Sequence, residues 1–352
     1  APPVIAAALA DAKLAAADVD GLVLGNSTEG GNPARLVALM AGLPGTASAT
    51  TVDQQSGSGL DAILTGLRMV ACGEAGVILA GGAESMSTAP WRVAKPRGAL
   101  GMPRFLEPAG RSEGVAPPEI EAAEALAQRF QIARERQDTF AGAARTAAHK
   151  AVEARRLRRE IVPLRQSPAE HRDESLDLAS DRDELADLLA FLEPGGTVTS
   201  GNASLPGDGA AIAVIVSEEV YARLGRPPAL RLVASASTGA KAGEEAAAPI
   251  EAMRKLRNRL NGHAREPIAA YELNESTAAQ AIAFRDAIGA ANEALNRDGG
   301  ALARGRPGAA SSAALVVRLH AQLLAETGKG RLGVAVTGAE GGLGLAALFE
   351  TV

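Results

Sequence analysis

The sequence has a single cysteine, Cys72, and few histidines. One cysteine excludes an intramolecular disulfide and a zinc site built from cysteines. Cys72 lies in the segment MVACGEAG, where we expect a helix end and a buried, unreactive thiol. Because the histidines are scattered without metal-ligand spacing, we expect no metal site. They are His149, His171, His263 and His320.

Aromatic side chains make up only 3% of the residues, so alanine and aliphatic side chains must fill the core. The formal net charge is −5 and there is no basic patch with interleaved aromatics, which argues against nucleic-acid binding. The longest apolar runs, at 211–216 and 77–80, are strand-sized and far too short to span a membrane. No signal peptide is visible, so we expect a cytoplasmic protein.

What the sequence does contain is a repeated alternation of helices and short buried strands. This pattern predicts an α/β fold with a sheet covered by helices on both faces. The sequence opens within a predicted helix and without a methionine, so we expect its true start to precede residue 1. The predicted helices are 4–16, 33–42, 58–71, 119–131, 134–155, 249–260 and 277–290, and the predicted strands are 21–26, 77–85, 211–216, 230–237, 268–275 and 331–344.

The chain also contains an internal repeat. The order small-residue turn, helix and glycine-ended strand occurs at 56–84 (QSGSGLDAI, then GVILAGGAE) and again at 306–342 (RPGAASSAAL, then GVAVTGAEGG). Such a repeat predicts two similar halves that meet at their glycine-rich turns. We assign 1–88 with 200–220 to the first half, 89–199 to an inserted helical segment with a solvated charge run, and 221–352 to the second half.

Several motifs in a fixed order carry a resemblance to a known family. They are DQQSGSGLDAI (53–63), GGAESMS (81–87), ARERQDTFA (133–141), REIVPL (159–164), GTVTSGNAS (196–204), ELNESTAAQA (272–281), GGALARGRPGA (299–309) and GAEGGLG (338–344). With these motifs the sequence resembles the thiolases, enzymes that condense and cleave acyl-CoA. The resemblance implies a thiolase fold: two βαβαβαββ halves in five layers (αβαβα) with an inserted loop domain.

The resemblance also implies a reaction, and the sequence departs from it. Thiolases transfer acyl groups from coenzyme A through a nucleophilic cysteine, a histidine and a second cysteine that shuttles a proton. Here Ser56 stands at the nucleophile position, Arg306 at the histidine position and Gly338 at the second cysteine. Glu340 replaces the first glycine that follows that cysteine. All three reacting side chains are therefore replaced.

Other positions keep or erode the binding features that the resemblance implies. Asn274 matches the asparagine that holds an oxyanion-hole water, although it could equally be a structural strand-end residue. Ser204, after Ala203, matches the serine that touches the pantetheine arm of coenzyme A, or is a loop serine only. The turn that lines the acyl pocket reads EAAAP (245–249), and the aromatic after the asparagine is Thr277.

Two interpretations of Ser56 remain open. A helix N-terminus lowers the pKa of a thiol, but a serine hydroxyl needs a positioned base, and Arg306 stays protonated. Ser56 is then a helix N-cap or an inert remnant, or else a working nucleophile. Glu340 is either a base or, as we favour, an ion-pair partner of Arg306, because an unpaired charge in a narrow pocket is costly. Asp61 should point to solvent.

These features predict two functions. The first is an acyl-CoA acyltransferase of thiolase type whose acyl transfer is weak, altered or lost. The second is a catalytically silent thiolase-like subunit that binds acyl-CoA or a partner protein. The resemblance implies a homodimer or homotetramer, with coenzyme A thioesters as substrate or ligand and no permanently bound cofactor.

Overall fold

The computed structural model describes residues 1–96, 98, 101–106, 118–163, 176, 182–192, 194–241, 243–260, 267–325 and 328–352. Its helices are α1 (Pro2–Ala12), α2 (Pro33–Met40), α3 (Ser58–Ala71), α4 (Glu119–Arg129), α5 (Arg134–Glu153), α6 (Arg182–Ala186), α7 (Glu218–Arg223), α8 (Ala248–Leu260), α9 (Ala278–Ile288), α10 (Ala301–Arg304) and α11 (Gly308–Ala325). Its strands are β1 (Gly21–Gly25), β2 (Ser48–Val52), β3 (Val77–Ser85), β4 (Val93–Ala94), β5 (Arg104–Phe105), β6 (Asp208–Val216), β7 (Leu230–Gly239), β8 (Ile268–Asn274), β9 (Leu332–Ala339) and β10 (Leu343–Thr351).

Two four-stranded sheets form the body of the molecule. The first has the order β2-β1-β3-β6, in which β1 is parallel to β2 and β3, and β6 is antiparallel to β3. The second has the order β7-β10-β9-β8, in which β8 is parallel to β9, and β10 is antiparallel to β9 and β7. Each sheet therefore contains a parallel pair with an antiparallel strand beside it: β1 and β3 with β6 in the first sheet, and β8 and β9 with β10 in the second.

Helices cover both sheets and also separate them. Alternate side chains of β1 show the layering: Leu22 and Leu24 pack under α1 and α2, whereas Val23 faces α3 and α11 in the middle layer. On the far side, α8 and α9 cover the second sheet. The result is five layers, α–β–α–β–α, as expected.

Small residues allow the two middle helices to approach closely. A Cβ atom on Gly59 of α3 would lie 2.3 Å from the carbonyl oxygen of Ala309 in α11. A Cβ atom on Gly82 of β3 would lie 2.5 Å from the same oxygen. These contacts bring the N-terminal ends of α3 and α11 together between the sheets. Positions 56 and 306 lie two residues before the first residues of these helices.

Two predicted elements are confirmed to the residue, whereas a predicted strand and the predicted burial of Cys72 are wrong. Helix α3 and strand β3 have the predicted bounds. The predicted strand 331–344 is instead the hairpin β9–β10, because Gly341 and Gly342 adopt left-handed conformations (φ 75° and 77°) that turn the chain back. Cys72 does end α3, but its side chain is exposed rather than buried.

The segment between the halves contains the β4–β5 hairpin and helices α4, α5 and α6. Helices α4 and α5 pack on α9 of the second half. Residues 164–175 and 177–181 of the predicted solvated charge run lie outside the described residues, as do His171 and His263. The three-part division of the chain stays a prediction.

Candidate active site

Ser56 lies in the loop that joins β2 to α3. The preceding residue, Gln55, has a left-handed backbone (φ 54°), and Asp53 accepts a hydrogen bond from its amide at 3.0 Å. The N-cap of α3 is Gly57, with no side-chain capping bond, while Ser58 accepts from the amide of Gln54 at 2.7 Å. Ser56 therefore does not cap α3, and its hydroxyl is left for a contact outside this loop.

That contact joins the two halves of the protein. The Ser56 hydroxyl donates to the carbonyl oxygen of Gly338 at 2.9 Å. The same oxygen accepts from the Thr337 hydroxyl, also at 2.9 Å, and Asn274 Nδ2 donates to Thr337 Oγ1 at 3.1 Å. The structure thus connects Ser56, Gly338 and Asn274 through Thr337. Sequence reasoning missed Thr337, although its place directly before Gly338 was a signal.

Gly338 leaves little room for a larger side chain. A Cβ atom there would lie 3.1 Å from Pro249 Cγ and 3.5 Å from Gln280 Nε2. Pro249 belongs to the EAAAP turn, and a Cβ atom on Gly342 would lie 3.2 Å from Cγ of Glu245 in the same turn. The EAAAP turn therefore packs directly against the end of β9, which contains Gly338, and against the turn that follows it.

Arg306 forms its ion pair with a residue of the inserted segment. Its Nη2 atom lies 2.5 Å from Glu119 Oε2, and the two side chains are 18% and 27% exposed. Arg306 thus pairs with Glu119, and the expected ion pair of Arg306 with Glu340 stays a prediction. Burial lowers the pKa of Arg306, but the charge and hydrogen bond of Glu119, together with the charge of Glu340, raise it above its usual value.

Glu119 was not identified from the sequence. It is the first residue of α4 and lies 187 positions before Arg306. The fold alone brings the two together, because α4 packs on α9 and the backbone of Arg306 is held by the carbonyl of Leu205 at 2.7 Å. A guanidinium held in this way can bind an anion or a carboxylate, but it cannot accept a proton from Ser56.

Asp61 differs from expectation. Its carboxylate is half-buried, accepts a hydrogen bond from Gln54 at 2.8 Å and lies 3.8 Å from Arg68. Burial raises the pKa of Asp61, against the opposing charge of Arg68. Asp61 therefore supports the loop before α3 rather than facing solvent.

The predicted binding residues Ala203 and Ser204 lie against the start of α9. The Ser204 hydroxyl donates to the carbonyl of Ser276 at 3.1 Å, and Ala203 pairs with Thr277 as an isolated bridge. Thr277 in turn caps α9 by accepting from the amide of Gln280 at 3.2 Å. The contact of Ser204 with a pantetheine arm stays a prediction.

Glu275 is a buried acid next to the site. One of its carboxylate oxygens accepts from the amide of Leu302 at 3.1 Å, which ties the end of β8 to the segment that leads to Arg306. Burial raises the pKa of Glu275 to about 7, against hydrogen bonds from Leu302 and Asn296 that lower it. Sequence reasoning missed this residue because its burial depends on the packing of α10.

A cleft of about 2380 Å³ runs along β6 and α11, and Asn274, Arg304 and Gly305 are among the residues that line it. Within the described ranges, no cluster of three or more metal-ligating side chains occurs. A search of the same residues finds no helix that is long and apolar enough to cross a membrane.

Comparisons with known proteins identify one family over nearly the whole chain. The chain matches the family models described as thiolase, N-terminal domain, over residues 2–219 and thiolase, C-terminal domain, over residues 226–351. VraB of Staphylococcus haemolyticus, provisionally named an acetyl-CoA C-acetyltransferase, is 39% identical over 339 residues, which cover 94% of this chain and 87% of VraB. VraB of Staphylococcus aureus is 34% identical over 336 residues, which cover 94% of this chain and 87% of that protein.

Solved structures are similar over almost the whole chain. The acetyl-CoA acetyltransferase of Bacillus anthracis superposes with a TM-score of 0.89 at 28% identity, covering 99% of this chain and 91% of that one. The Acat5 thiolase of Ascaris suum, solved in complex with coenzyme A, gives a TM-score of 0.88 at 26% identity, covering 100% and 92%.

Proposed function

This chain belongs to the thiolase family, and from that premise we propose that it binds acyl-CoA thioesters in a thiolase-type site whose acyl transfer is strongly weakened or lost. The ligand class is supported by the Ascaris suum thiolase, whose structure contains coenzyme A. It is also supported by the names of the related proteins, which are acetyl-CoA acetyltransferases.

One observation carries the proposal: the Ser56 hydroxyl donates to the Gly338 carbonyl at 2.9 Å. A nucleophilic serine must give its proton to a base, and a backbone carbonyl oxygen accepts a hydrogen bond but does not take the proton. Arg306, at the histidine position, is a cation paired with Glu119. The arrangement therefore favours a hydroxyl that stays protonated.

A second candidate, slow acyl transfer through Ser56, is favoured by one observation. Glu340 is close enough for its charge to raise the pKa of Arg306, so a carboxylate does lie near the site. If Glu340 accepted the Ser56 proton, the Ser56 oxygen would attack the thioester carbon, the C–S bond would break, and coenzyme A would leave with that proton as an acyl–serine ester formed. A catalytically silent subunit, by contrast, would bind acyl-CoA or a partner protein without this step.

The test compares binding with covalent labelling. Cys72 is exposed and could accept an acyl group from a thioester, so the experiment uses a Cys72→Ser background. The protein is titrated calorimetrically with a panel of acyl-CoA thioesters, and its intact mass is measured after incubation. We expect binding without a mass change. A mass increase that disappears in Ser56→Ala supports transfer, and an absence of both binding and label contradicts both candidates.

Two further expectations belong to the same proposal. We propose a cytoplasmic protein that assembles as a homodimer or homotetramer. Light scattering coupled to size exclusion measures the assembly directly, and a monomer at micromolar concentration would contradict it.

A further inference from the structure

Thr337 is a buried polar residue between two predicted site positions. It lies near the end of β9, in parallel register with Asn274 of β8 and directly before Gly338. Thr337 is fully buried and Asn274 is 3% exposed. Because no solvent reaches Thr337, its hydroxyl must be satisfied by the groups around it.

The Thr337 hydroxyl donates its hydrogen bond to the carbonyl oxygen of Gly338. The Gly338 carbonyl oxygen, 2.9 Å away, can only accept, so Thr337 must donate to it. A hydroxyl carries one hydrogen, and Thr337 therefore acts as an acceptor toward Asn274, at 3.1 Å. An asparagine amide meets an acceptor with its nitrogen. The contact thus fixes which end of the Asn274 amide faces Thr337.

The other end of the amide has no partner in the described part of the chain. Asn274 Oδ1 is buried and makes no hydrogen bond there. A buried acceptor without a partner is unfavourable by about 1–3 kcal/mol. Asn274 is also among the residues that line the cleft along α11. The group of Asn274 that is left for a ligand is therefore an acceptor, not a donor.

We propose that Thr337 is a positioning residue that turns the amide oxygen of Asn274, rather than its NH2 group, toward the ligand. The inference rests on the proposed binding of acyl-CoA. An amide oxygen that faces the ligand attracts a hydroxyl or N–H donor of the ligand and repels a thioester carbonyl oxygen in direct contact with it. Thr337 thereby lowers the preference of this site for the thioester group itself.

The test compares two ligands that differ only at that group: acetyl-CoA, and the thioether S-ethyl-CoA, in which a methylene replaces the carbonyl. Thr337→Val keeps the shape but removes the hydroxyl, so the amide can turn its NH2 group to the thioester oxygen. We expect the Kd of acetyl-CoA, relative to that of S-ethyl-CoA, to fall about tenfold, the value of one hydrogen bond. Calorimetry measures both constants.

Two control variants separate positioning from a structural role. Thr337→Ser keeps the hydroxyl and should keep the original ratio of the two constants. Asn274→Asp, combined with Thr337→Val, has no amide N–H to offer and should cancel the gain. A Thr337→Val protein that is folded but changes both constants equally, or leaves their ratio unaltered, would overturn the inference.

A ligand-free readout keeps this inference distinct from the proposed function. The side-chain amide resonance of Asn274 is identified in a ¹⁵N spectrum by its loss in Asn274→Asp. We expect this resonance to shift in Thr337→Val and to stay in place in Thr337→Ser. If neither ligand binds any variant, the proposed function fails, and the resonance still decides the role of Thr337: an unshifted resonance in Thr337→Val refutes it.

Discussion

At the scale of single residues, the chemistry of the site follows from the contacts of the three residues that replace the thiolase catalytic side chains. Ser56 donates to a carbonyl, Arg306 is neutralised by Glu119, and Gly338 is packed against Pro249. Each contact satisfies its residue locally. The Gly338 carbonyl does not take the Ser56 proton, and the Glu119 carboxylate is held by Arg306. A serine without a base is a poor nucleophile.

Glu275 makes the stability of the protein depend on pH. Burial raises its pKa to about 7 from an ordinary value of 4.5, so the folded state holds a proton that the unfolded state has released between these values. The contribution of Glu275 to stability is then fully present below about pH 4.5 and is lost as the pH rises through 7. At 1.4 kcal/mol per pKa unit, the loss is about 3 kcal/mol.

Glu275→Gln tests this dependence, because glutamine can still accept from the Leu302 amide but carries no charge. We expect the variant to be more stable than the parent at pH 8 and to lose the advantage at pH 5. Urea unfolding at pH 5, 6, 7 and 8 measures the difference in stability between the two proteins. Burial also raises the pKa of Glu272, but the pH dependence that this causes is present in both proteins and cancels in the difference. Parallel curves for the two proteins would rule out the shifted pKa.

At the scale of secondary-structure elements, the ion pair of Glu119 with Arg306 helps to fasten the inserted helix α4 to the second half. Glu119→Gln removes the charge that offsets the buried guanidinium of Arg306, so we expect the free energy of unfolding to fall by about 1–3 kcal/mol. Glu251→Gln is the matched control, because it breaks the pair with Arg254, in which both side chains are exposed. We expect that change to stay within about 0.5 kcal/mol; equal losses in the two variants would contradict the account.

The contact between α3 and α11 gives a second prediction at this scale. Gly59→Ala places a methyl group 2.3 Å from the carbonyl oxygen of Ala309 and should destabilise the protein by about 3 kcal/mol, although alanine is the better helix former. In Gly45→Ala the new methyl group meets no atom within 4 Å, so this control should change little. Thermal unfolding compares them, and a Gly59→Ala protein as stable as its parent would show that the helices can separate freely.

At the scale of the whole molecule, local patterns predict a sheet covered by helices on both faces, and the resemblance to thiolases implies the five layers. Helix α3 and strand β3 were predicted to the residue from apolar periodicity and their small-residue boundaries. The hairpin β9–β10 was predicted as one strand, since nothing in the apolar pattern marks the turn at Gly341. Glu119 and Thr337 escaped prediction because their roles depend on residues far away in sequence or on hydroxyl geometry.

Restoring the three replaced side chains tests whether the rest of the site can still support acyl transfer. In Ser56→Cys, Arg306→His and Gly338→Cys combined, the new thiol at position 56 lies before a helix N-terminus, which favours the thiolate. We expect acyl labelling, which the parent lacks, to appear, while complete turnover stays low because Pro249 crowds position 338. Intact mass reports the first step and release of coenzyme A the second. Full turnover would show that only three side chains separate this protein from an active thiolase.

The measurement closest to the central claim is the intact mass of the Cys72→Ser protein over time with saturating acetyl-CoA, at a concentration where calorimetry shows the site to be filled. The account predicts an unchanged mass, because the Ser56 proton stays on a hydroxyl that donates to the Gly338 carbonyl. A steady gain of one acetyl group per chain, absent in Ser56→Ala, would contradict it and identify Ser56 as a working nucleophile.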